Sequence, residues 1–248
     1  MKILVYNIGY SLGLNGSAED YLLHGFRYVY CTKKIQEDVI SHITTIISDT
    51  NPDICGLLEV EQGDAFSNRI NQMEAINHNG HFVADISSKY GEKGMMSKIS
   101  FLKSKSNAVL LKNPLPIRKH YFRHGVKKLL YEITAPSNIS IFLVHFSLSH
   151  RARAQQIREL RDIISRKKKV IICGDFNIFG GLRELDPLLQ GTNLRIVNKR
   201  KDVTFPAAHP TMALDLFLCS HGITVKDIHV LQGTFSDHCP VLFEFEAS

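Results

Sequence analysis

The sequence predicts an α/β fold, a four-layer α/β sandwich in which two mixed, largely antiparallel β-sheets are flanked by helices. Two observations favour it. Apolar residues recur with helical spacing over residues 33–49 and 150–167, whereas a succession of short segments between them alternates with a period of two. Short successive strands are typical of antiparallel pairing, and the helices on either side can cover the outer faces of the sheets.

The first eighty residues are predicted to hold two strands and two helices. A Gly-, Asn- and Ser-rich segment separates the first strand from the first helix, and Asn51-Pro52-Asp53 ends that helix. The second strand is an apolar run that delivers Glu59 to its tip. The two strands span residues 2–8 and 54–58. The Gly-, Asn- and Ser-rich segment spans residues 9–32, and the two helices span residues 33–49 and 63–78.

The remainder of the chain is predicted to be rich in strands. Ten segments show strand patterns, namely residues 81–86, 99–103, 107–111, 117–122, 128–134, 139–145, 194–197, 213–219, 224–230 and 240–245. The apolar run 170–173 is a further, buried strand, and it lies between the helix at 150–167 and a short helix near 183–189.

Length and composition indicate one domain over residues 1–248, because no linker, repeat or low-complexity run divides the chain. No apolar stretch approaches the roughly 20 residues that a bilayer-spanning helix needs, and the amino terminus runs directly into a strand. The five cysteines match no zinc pattern and are expected to be reduced and mostly buried. We therefore expect a cytoplasmic protein without a transmembrane segment.

The formal net charge of +6 suggests an anionic partner. Nucleic acid, a phospholipid surface and a phosphorylated metabolite all satisfy it, and the charge alone does not choose among them. A basic membrane-surface protein is disfavoured, because it requires an amphipathic basic helix and the apolar positions of residues 150–167 face inward.

Two motifs carry the chemistry. Gly174-Asp175-Phe176-Asn177 follows the apolar run that ends at Cys173, so a carboxylate and an amide stand at the carboxyl end of a buried strand. Far downstream, Ser236-Asp237-His238 places a carboxylate beside an imidazole, the side chain suited to proton transfer near neutral pH. A single Asp or Asn at the end of a strand can be explained more simply, because these side chains hydrogen-bond to their own backbone in turns.

That simpler explanation does not account for acids and amides recurring at several strand ends. Hydrolysis of a phosphate ester needs a water molecule, a base, and positive charge to offset the charge that develops on phosphate. A hard cation such as Mg²⁺ supplies the charge and prefers oxygen ligands. The candidates are Asn7, Glu59, Asp175, Asn177, Asp215 and Asp237. For Glu59 alone a solvated acid is an equal alternative, for His145 a satisfied core histidine is an alternative, and Glu61 is expected to be an exposed loop charge.

The ordered motifs resemble those of the endonuclease/exonuclease/phosphatase superfamily, which has the deoxyribonuclease-I-like fold. The resemblance runs from the first strand to the last, through Asn7 in Val-Tyr-Asn-Ile, Glu59 in Leu-Leu-Glu, His145 in Leu-Val-His-Phe, Gly-Asp-Phe-Asn, Asp215 in Ala-Leu-Asp-Leu-Phe and Ser-Asp-His-Cys-Pro-Val. It implies a divalent-metal-dependent phosphoester hydrolase that uses Mg²⁺ or Mn²⁺.

The resemblance also implies a role for each residue. Glu59 would hold the metal with help from Asn7 and Asp237. His238 would bind or deprotonate the attacking water, and Asp215 would fix its tautomer. Asp175 would orient the nucleophile or protonate the leaving oxygen, while Asn177 and His145 would donate hydrogen bonds to the phosphoryl oxygens.

The departures from the family pattern narrow the substrate. Enzymes of the family that cut DNA at abasic sites carry Gly-Trp-Arg before the motif aspartate and a tyrosine in place of His145. Here residues 210–214 read Pro-Thr-Met-Ala-Leu and the chain has no tryptophan, which disfavours such an endonuclease. His145 is closer to general nucleases, sphingomyelinases and inositol phosphatases.

Specificity is expected in two insertions, residues 9–32 and 87–98, which leave or flank strand ends. Tyr21, Arg27 and Tyr28 are candidates for stacking on bases or sugars, and a cap with a solvated face is an equal alternative. The candidate substrate contacts are Asn107, Arg151, Tyr28 and Arg27, with Lys89, Lys93 and Lys98 as further phosphate contacts and Arg153 beside Arg151.

A phosphodiester of nucleic acid, DNA or RNA, is the favoured substrate. A phospholipid, sphingomyelin or inositol phosphate is the alternative within the same family. An inactive module that only binds phosphate is the alternative outside enzymes, although binding alone would not require the whole residue set.

Overall fold

The computed structural model describes residues 1–63, 68–78, 80, 82–91, 102 and 104–246. Twelve strands form two six-stranded sheets, with the orders β11-β12-β1-β2-β4-β3 and β5-β6-β7-β8-β10-β9. The strands β1 to β12 are Lys2–Asn7, Ile54–Glu61, Val83–Ser88, Lys105–Leu111, Ile117–Tyr121, Leu129–Ala135, Ile139–His145, Val170–Asp175, Leu194–Ile196, Asp215–Ser220, Val225–Val230 and Val241–Phe245.

Both sheets are mixed, as predicted. β1 pairs with β2, and β7 with β8, in parallel, whereas the other strand pairs are antiparallel. Each parallel pair lies inside its sheet, with antiparallel strands on either side. Parallel neighbours end at the same edge, so each sheet brings two carboxyl-terminal strand ends together.

In the described part of the chain, five α-helices accompany the sheets. α1 to α5 are Ala18–His24, Lys33–Thr50, Gln72–Ile76, His150–Ile164 and Asp186–Leu189, and short 3₁₀ turns occupy Gly9–Ser11, Gly25–Tyr28, Pro136–Asn138 and Leu182–Leu185. α2 begins at the N-cap Thr32, whose hydroxyl accepts the amide of Ile35 at 3.4 Å, and ends at Asn51 in the left-handed conformation. Within the described ranges, no helix combines the length and the apolar character needed to cross a bilayer.

Three apolar clusters hold the layers together. The central one joins the facing sides of the two sheets, with Val5 and Val109 from one sheet and Tyr131 and Leu143 from the other. The sheets approach closely there, because a Cβ atom on Gly56 would lie 2.7 Å from Leu143 Cδ1. The outer clusters bury α2 against the first sheet and α4 against the second, which completes the four predicted layers.

The helices cover the sheets through the residues that the periodicity predicts. α2 buries Val39, Ile40, Ile43 and Ile47, and α4 buries Ile157, Leu160 and Ile164. The cysteines, Cys31, Cys55, Cys173, Cys219 and Cys239, are all free and buried. The inward-facing helices and the reduced, buried thiols are thus confirmed.

Some boundaries differ from the prediction. β2 continues past Leu58 to Glu61, so Glu59 lies inside the strand and not after it. Glu61 is buried and 3.7 Å from Lys105 Nζ, which corrects its expected place in an exposed loop. Of the helix predicted over residues 63–78, the structure has α3, while residues 64–67 lie outside the described part. In the strand predicted at 99–103, residues 99–101 and 103 also lie outside it.

Candidate active site

Strand pairing places most of the predicted site residues at one edge. His145, the last residue of β7, lies opposite Asp175, the last residue of the parallel strand β8. Asp215 opens the antiparallel strand β10 directly opposite Asp175 on its other side. In the other sheet, Asn7 ends β1 one position short of Glu59 on the parallel strand β2. The pairing register therefore brings residues that are remote in sequence to neighbouring strand ends.

A cavity of about 590 Å³ opens at this edge. Its lining contains six of the predicted site residues (Asn7, Glu59, Asp175, Asn177, Asp237 and His238) together with predicted Tyr28. The other lining residues are Tyr10, Tyr21, Lys89, Tyr90, Gly125, Val126, Lys127, Ser147, Leu148, Ser149, Ala152, Phe179 and Phe205. The two carboxyl groups of Glu59 and Asp237, far apart in the chain, thus face one space.

His238 and Asp215 form a buried pair. His238 Nδ1 donates to Asp215 Oδ2 at 2.7 Å, and Thr204 Oγ1 donates to the same oxygen at 2.7 Å. His238 Nε2 is left facing Asp175 Oδ2 at 4.0 Å. Burial disfavours the charged imidazole, but Asp215 and Asp175 outweigh burial and raise the pKa of His238 to about 10. The acidic side chains therefore favour the protonated form of His238.

Asp175 is fixed by amide hydrogen bonds. Its Oδ1 accepts the backbone N–H of Asn177 at 2.9 Å, and its Oδ2 accepts Asn177 Nδ2 at 2.9 Å and Asn7 Nδ2 at 3.1 Å. Burial, opposed by His238 and assisted by Asp215, raises the pKa of Asp175 to about 6. Gly174 permits this arrangement, since its φ is +136° and a Cβ there would lie 2.0 Å from the Val144 carbonyl oxygen.

Glu59 enters the cavity through an irregularity of β2. The register between β2 and β4 shifts between Leu57 and Val60, and Glu59 between them has a φ of +57°. Asn107 of β4 accepts the backbone N–H of Glu59 on its side-chain oxygen at 3.2 Å. A bulge interrupts the regular alternation of side chains between the two faces of a strand. The Glu59 side chain can therefore reach the cavity from within β2.

Two lysines and a histidine surround the Glu59 carboxylate. Its Oε1 lies 3.0 Å from Lys89 Nζ, 3.5 Å from Lys127 Nζ and 3.7 Å from His145 Nε2. Burial opposes ionisation, but Lys89, Lys127 and His145 together hold the pKa of Glu59 well below its usual range. Burial, partly offset by Glu59, lowers the pKa of Lys89 to about 8. Glu59 is therefore an ionised carboxylate in a strongly cationic setting.

His145 is completely buried and faces Lys127. The Lys127 ammonium donates to His145 Nε2, so the ring proton belongs on Nδ1, 3.4 Å from the side-chain oxygen of Asn107. Burial and then Lys127 lower the pKa of His145 well below its ordinary value. The ring is neutral and lies behind the residues that line the cavity.

A hydrogen bond from Tyr21 connects the segment before α2 to the site. Tyr21 of α1 donates its hydroxyl to Asp237 Oδ2 at 2.6 Å, a contact between residues 216 positions apart. Burial and Asp237 raise the pKa of Tyr21 above its ordinary range. Ser236 Oγ donates to the Asn7 carbonyl oxygen at 2.6 Å, which joins the last motif to the first strand.

The predicted substrate contacts occupy different places. Tyr28 lines the cavity, whereas Asn107 is buried behind Glu59 and positions it. Arg27 donates to the carbonyl oxygens of Leu12 at 3.3 Å and Gly13 at 3.0 Å, and so holds a loop.

Arg151 and Arg153 differ in spite of their proximity in sequence. Arg151 is exposed on the first turn of α4. Arg153 is buried and paired with Glu184, with Arg153 Nε 2.8 Å from Glu184 Oε2, and it also donates to the carbonyl oxygens of Ser147 and Leu148 at 3.0 and 2.8 Å. Arg153 is thus a structural residue that holds the loop after β7, and its reading as a substrate contact is corrected.

Some residues that line the cavity were not predicted from the sequence. Lys127 touches both Glu59 and His145, and Tyr10 accepts a hydrogen bond from Lys89. A lysine directly before a predicted strand carries no signal that separates it from the other basic residues. Tyr10 sits beside the Asn7 motif in a segment rich in turns, and its closeness to the motif was the only available hint.

Within the described residues, two groups have the donor atoms for a metal ion. Asp175, Asp215 and His238 have ligand atoms within 4.8 Å of one another, and Asp215 Oδ1 has no hydrogen-bond partner among the described residues. Asn7, Glu59 and Asp237 offer three oxygen donors around the same cavity, the chemistry that a hard divalent cation prefers. Glu59 Oε1 is paired with Lys89 Nζ at 3.0 Å, so a metal ion at this carboxylate would share or replace that ion pair.

Solved structures share the fold over nearly the whole chain. A mannosyl-6-phosphatase of Bacteroides thetaiotaomicron superposes with a TM-score of 0.70 at 13% identity, covering 99% of this chain and 99% of that one. The human Nocturnin catalytic domain, with a bound sulfate anion, superposes with a TM-score of 0.67 at 18% identity, covering 99% and 94% of the two chains. At such identities these likenesses establish the fold, two mixed sheets flanked by helices.

Sequence comparison identifies the family of the chain. A UPF0294 protein of Yersinia pseudotuberculosis is 34% identical over 115 residues, which is 44% of this chain and 42% of that protein. The match thus spans less than half of the Yersinia protein. The sequence model of the Endonuclease/Exonuclease/phosphatase family matches residues 35–238. The chain belongs to the endonuclease/exonuclease/phosphatase family, a family of hydrolases.

Proposed function

We propose that the protein is a divalent-cation-dependent phosphodiester hydrolase in which water attacks phosphorus in line. The observation that carries this proposal is the row Asp215–His238–Asp175 in a cavity that also presents Glu59 and Asp237. An imidazole held by one carboxylate and facing another suits proton transfer at a reacting oxygen. The carboxylates of Glu59 and Asp237, which line the same cavity, suit a metal ion.

Asn7, Glu59 and Asp237 would hold Mg²⁺ or Mn²⁺. All three are oxygen donors of the kind that a hard divalent cation prefers, and all three line the same cavity. When bound, the ion supplies charge that offsets the negative charge developing on the phosphoryl oxygens.

His238 is the proposed proton-transferring residue. Asp215 holds Nδ1–H, so Nε2 is the nitrogen available to a water molecule in the cavity. Asp175, held by Asn7 and Asn177, would orient the attacking water or serve the leaving oxygen. Both Asn177 contacts support Asp175, and this positioning adds to the role that the sequence suggested for Asn177.

Lys127 is the proposed cationic contact for the phosphoryl oxygens. Its ammonium lies between Glu59 and His145 on the cavity wall. The neutral His145 ring would accept a hydrogen bond from Lys127 and so position the Lys127 ammonium. In this proposal His145 acts on the phosphate only through Lys127. A preorganised cation near the developing negative charge lowers the barrier without reorganisation of solvent.

Two substrate classes remain in the proposal. Tyr21, Tyr28 and Tyr90 line the cavity and offer stacking faces for nucleic acid, which the sequence favours. A phosphodiester of a lipid is the second candidate, because Val126, Leu148 and Phe179 line the same cavity and are about half exposed at its mouth.

A substrate panel tests the function. Purified protein is incubated with plasmid DNA, RNA, sphingomyelin and phosphoinositides, with Mg²⁺, with Mn²⁺ and with EDTA, and a His238→Ala variant is run alongside. We expect hydrolysis of at least one substrate that EDTA abolishes and that the variant lacks. Binding of a substrate without turnover under any of these conditions would instead identify a phosphate-binding module and refute the proposal.

A further inference from the structure

One lip of the cavity exposes a cluster of large apolar side chains. α1 and the 3₁₀ turn after it contain no buried residue. The exposed fractions are 86% for Leu22, 58% for Leu23, 62% for Phe26, 70% for Val29 and 60% for Tyr30. Single exposed apolar residues are ordinary on protein surfaces, but a contiguous group of this kind marks an interaction site. We call these five residues the apolar lip.

The inner side of the same segment is polar and attached to the protein. Tyr21 bonds to Asp237, and Asp20 accepts hydrogen bonds from the Asn15 amide at 2.5 Å and from His24 at 2.7 Å. Leu22 and Leu23 lie on α1, and Phe26 lies in the 3₁₀ turn that follows it; all three side chains are more than half exposed. The polar side therefore anchors the segment, and the apolar side faces outward.

Three loops beside the cavity are apolar as well. Their exposed residues are Val126 at 48%, Leu148 at 63%, Phe179 at 47% and Leu182 at 49%. Val126, Leu148 and Phe179 also line the cavity. Tyr28, two residues after Phe26 of the apolar lip, is 49% exposed and lines the same cavity. Both apolar segments therefore border the cavity.

Basic side chains accompany the apolar residues in those three loops or directly beside them. Arg123 is near Val126, Arg151 is three residues from Leu148, and Arg183 follows Leu182, and all three arginines are exposed. The whole chain carries a net charge of +6. Apolar and aromatic side chains flanked by basic ones match the apolar interior and anionic headgroups of a phospholipid surface.

We propose that the apolar lip and the three loops dock on an anionic phospholipid bilayer, with the cavity mouth facing the headgroups. A bilayer satisfies the exposed apolar side chains and at the same time offers phosphodiesters at the mouth. The exposed arginines beside the apolar residues complement anionic headgroups, which favours a bilayer over an apolar protein surface. The choice of a lipid phosphodiester as substrate rests on the proposed function, whereas docking itself does not.

The test measures vesicle binding without turnover. His238→Ala protein in EDTA is mixed with phosphatidylcholine vesicles and with vesicles containing 30% phosphatidylglycerol, and bound protein is separated by flotation. We expect binding that is stronger to the anionic vesicles. Adding Leu22→Ser and Phe26→Ser should reduce the partition coefficient at least ~10-fold, because both side chains would enter the interface.

Matched controls separate docking from folding and from catalysis. Val83, 47% exposed on the edge strand β3, supplies a Val83→Ser control that should bind as the parent does. In the otherwise native protein, Leu22→Ser with Phe26→Ser should hydrolyse the soluble diester bis-p-nitrophenyl phosphate within ~2-fold of the parental rate. The circular dichroism spectrum of that variant should match the parent's.

The outcomes distinguish the two proposals. Vesicle binding that is unchanged by the double substitution, or no binding by the parent, overturns the docking proposal even if soluble diesters are hydrolysed. A parent that is dimeric by light scattering and a double variant that is monomeric, without vesicle binding, would assign the lip to self-association and also overturn it. Vesicle binding without hydrolysis of any diester leaves docking intact and refutes the proposed function.

Discussion

His238 differs from the other described histidines because its two ring nitrogens face two different carboxylates, Asp215 and Asp175. His24, His120, His124 and His229 each pair with one carboxylate away from the cavity, and His42 stacks on Phe235 with ring centroids 3.5 Å apart. His238 alone among the described residues bonds to Asp215 while it faces Asp175. Its neighbours suit it to exchange a proton with a bound water molecule.

Replacement of His238 by alanine should lower kcat/KM for a phosphodiester at least ~10²-fold, because proton transfer by the imidazole is lost. The measurement is steady-state hydrolysis of bis-p-nitrophenyl phosphate in Mg²⁺, with near-ultraviolet circular dichroism to confirm the fold. His229→Ala, an exposed histidine paired with Asp227, is the control and should keep the parental rate. Parental activity in His238→Ala would remove the imidazole from the mechanism.

The site residues were predictable to different degrees. Asn7, Asp175 and Asp237 could be found because short motifs beside apolar runs mark the ends of strands. The bulge that turns Glu59 into the cavity could not, since a positive φ at a glutamate leaves no local sequence signature. Contacts such as Tyr21 with Asp237 join distant segments, and only the folded chain shows them.

At the scale of elements, Arg153 of α4 connects helix, loop and turn. Its guanidinium binds Glu184 and the carbonyl oxygens of Ser147 and Leu148 from a buried position. Sequence reasoning assigned Arg153 to the substrate because it follows His145 closely. The helix phase decides otherwise, since Arg153 faces inward with Ile157 and Leu160 while Arg151 faces solvent.

Arg153→Met should destabilise the protein by about 3–5 kcal/mol, because Glu184 is left as a buried charge without its partner. The free energy of unfolding is measured by urea denaturation. Arg158→Met, on the exposed side of the same helix, should change it by less than about 0.5 kcal/mol. Equal effects of the two substitutions would contradict the assigned role of the Arg153–Glu184 pair.

Glu132 on strand β6 makes contacts whose strength should depend on pH. Glu132 is buried, accepts a hydrogen bond from Lys167 and lies 2.8 Å from His120 Nε2. Burial opposes ionisation, but Lys167 and His120 outweigh it and lower the pKa of Glu132. A lowered folded-state pKa gives stability that is present above the unfolded pKa of about 4.3 and is lost as the pH falls through the folded value.

The parent should therefore be more stable than Glu132→Gln at pH 7, and the difference should shrink as the pH falls below about 4. Thermal unfolding at a series of pH values checks this. Glu246→Gln, at an exposed position, should track the parent throughout. A difference between parent and Glu132→Gln that grows toward acid pH would show that the direction of the shift is wrong.

At the scale of the whole molecule, the central cluster unites the two sheets. Val5 and Phe243 of one sheet share it with Ile141 and Phe217 of the other, and the active-site residues lie along the adjoining sheet edges. The order of layers was predictable from hydrophobic periodicity. The outward orientation of the apolar lip was not, because apolar residues at helical spacing ordinarily indicate a buried face.

The chain should unfold in one cooperative transition, because neither sheet can lose its inner face without exposing that of the other. Far-ultraviolet circular dichroism and tyrosine fluorescence, which is usable because the chain lacks tryptophan, should give coincident urea curves. Two separated transitions would indicate that the chain is not the single domain that the sequence predicts.

The most direct test of the central claim is a Mg²⁺ titration of phosphodiester hydrolysis by the parent and by Glu59→Gln. If Glu59 helps to hold the cation, the variant should need at least ~10-fold more Mg²⁺ for half-maximal rate, because a charged ligand is lost. Glu37→Gln, the same charge change at an exposed position of α2, serves as the control and should leave the titration curve unchanged. Titration curves that coincide for parent and Glu59→Gln, or hydrolysis that persists in EDTA, would contradict a cation-dependent site built around Glu59.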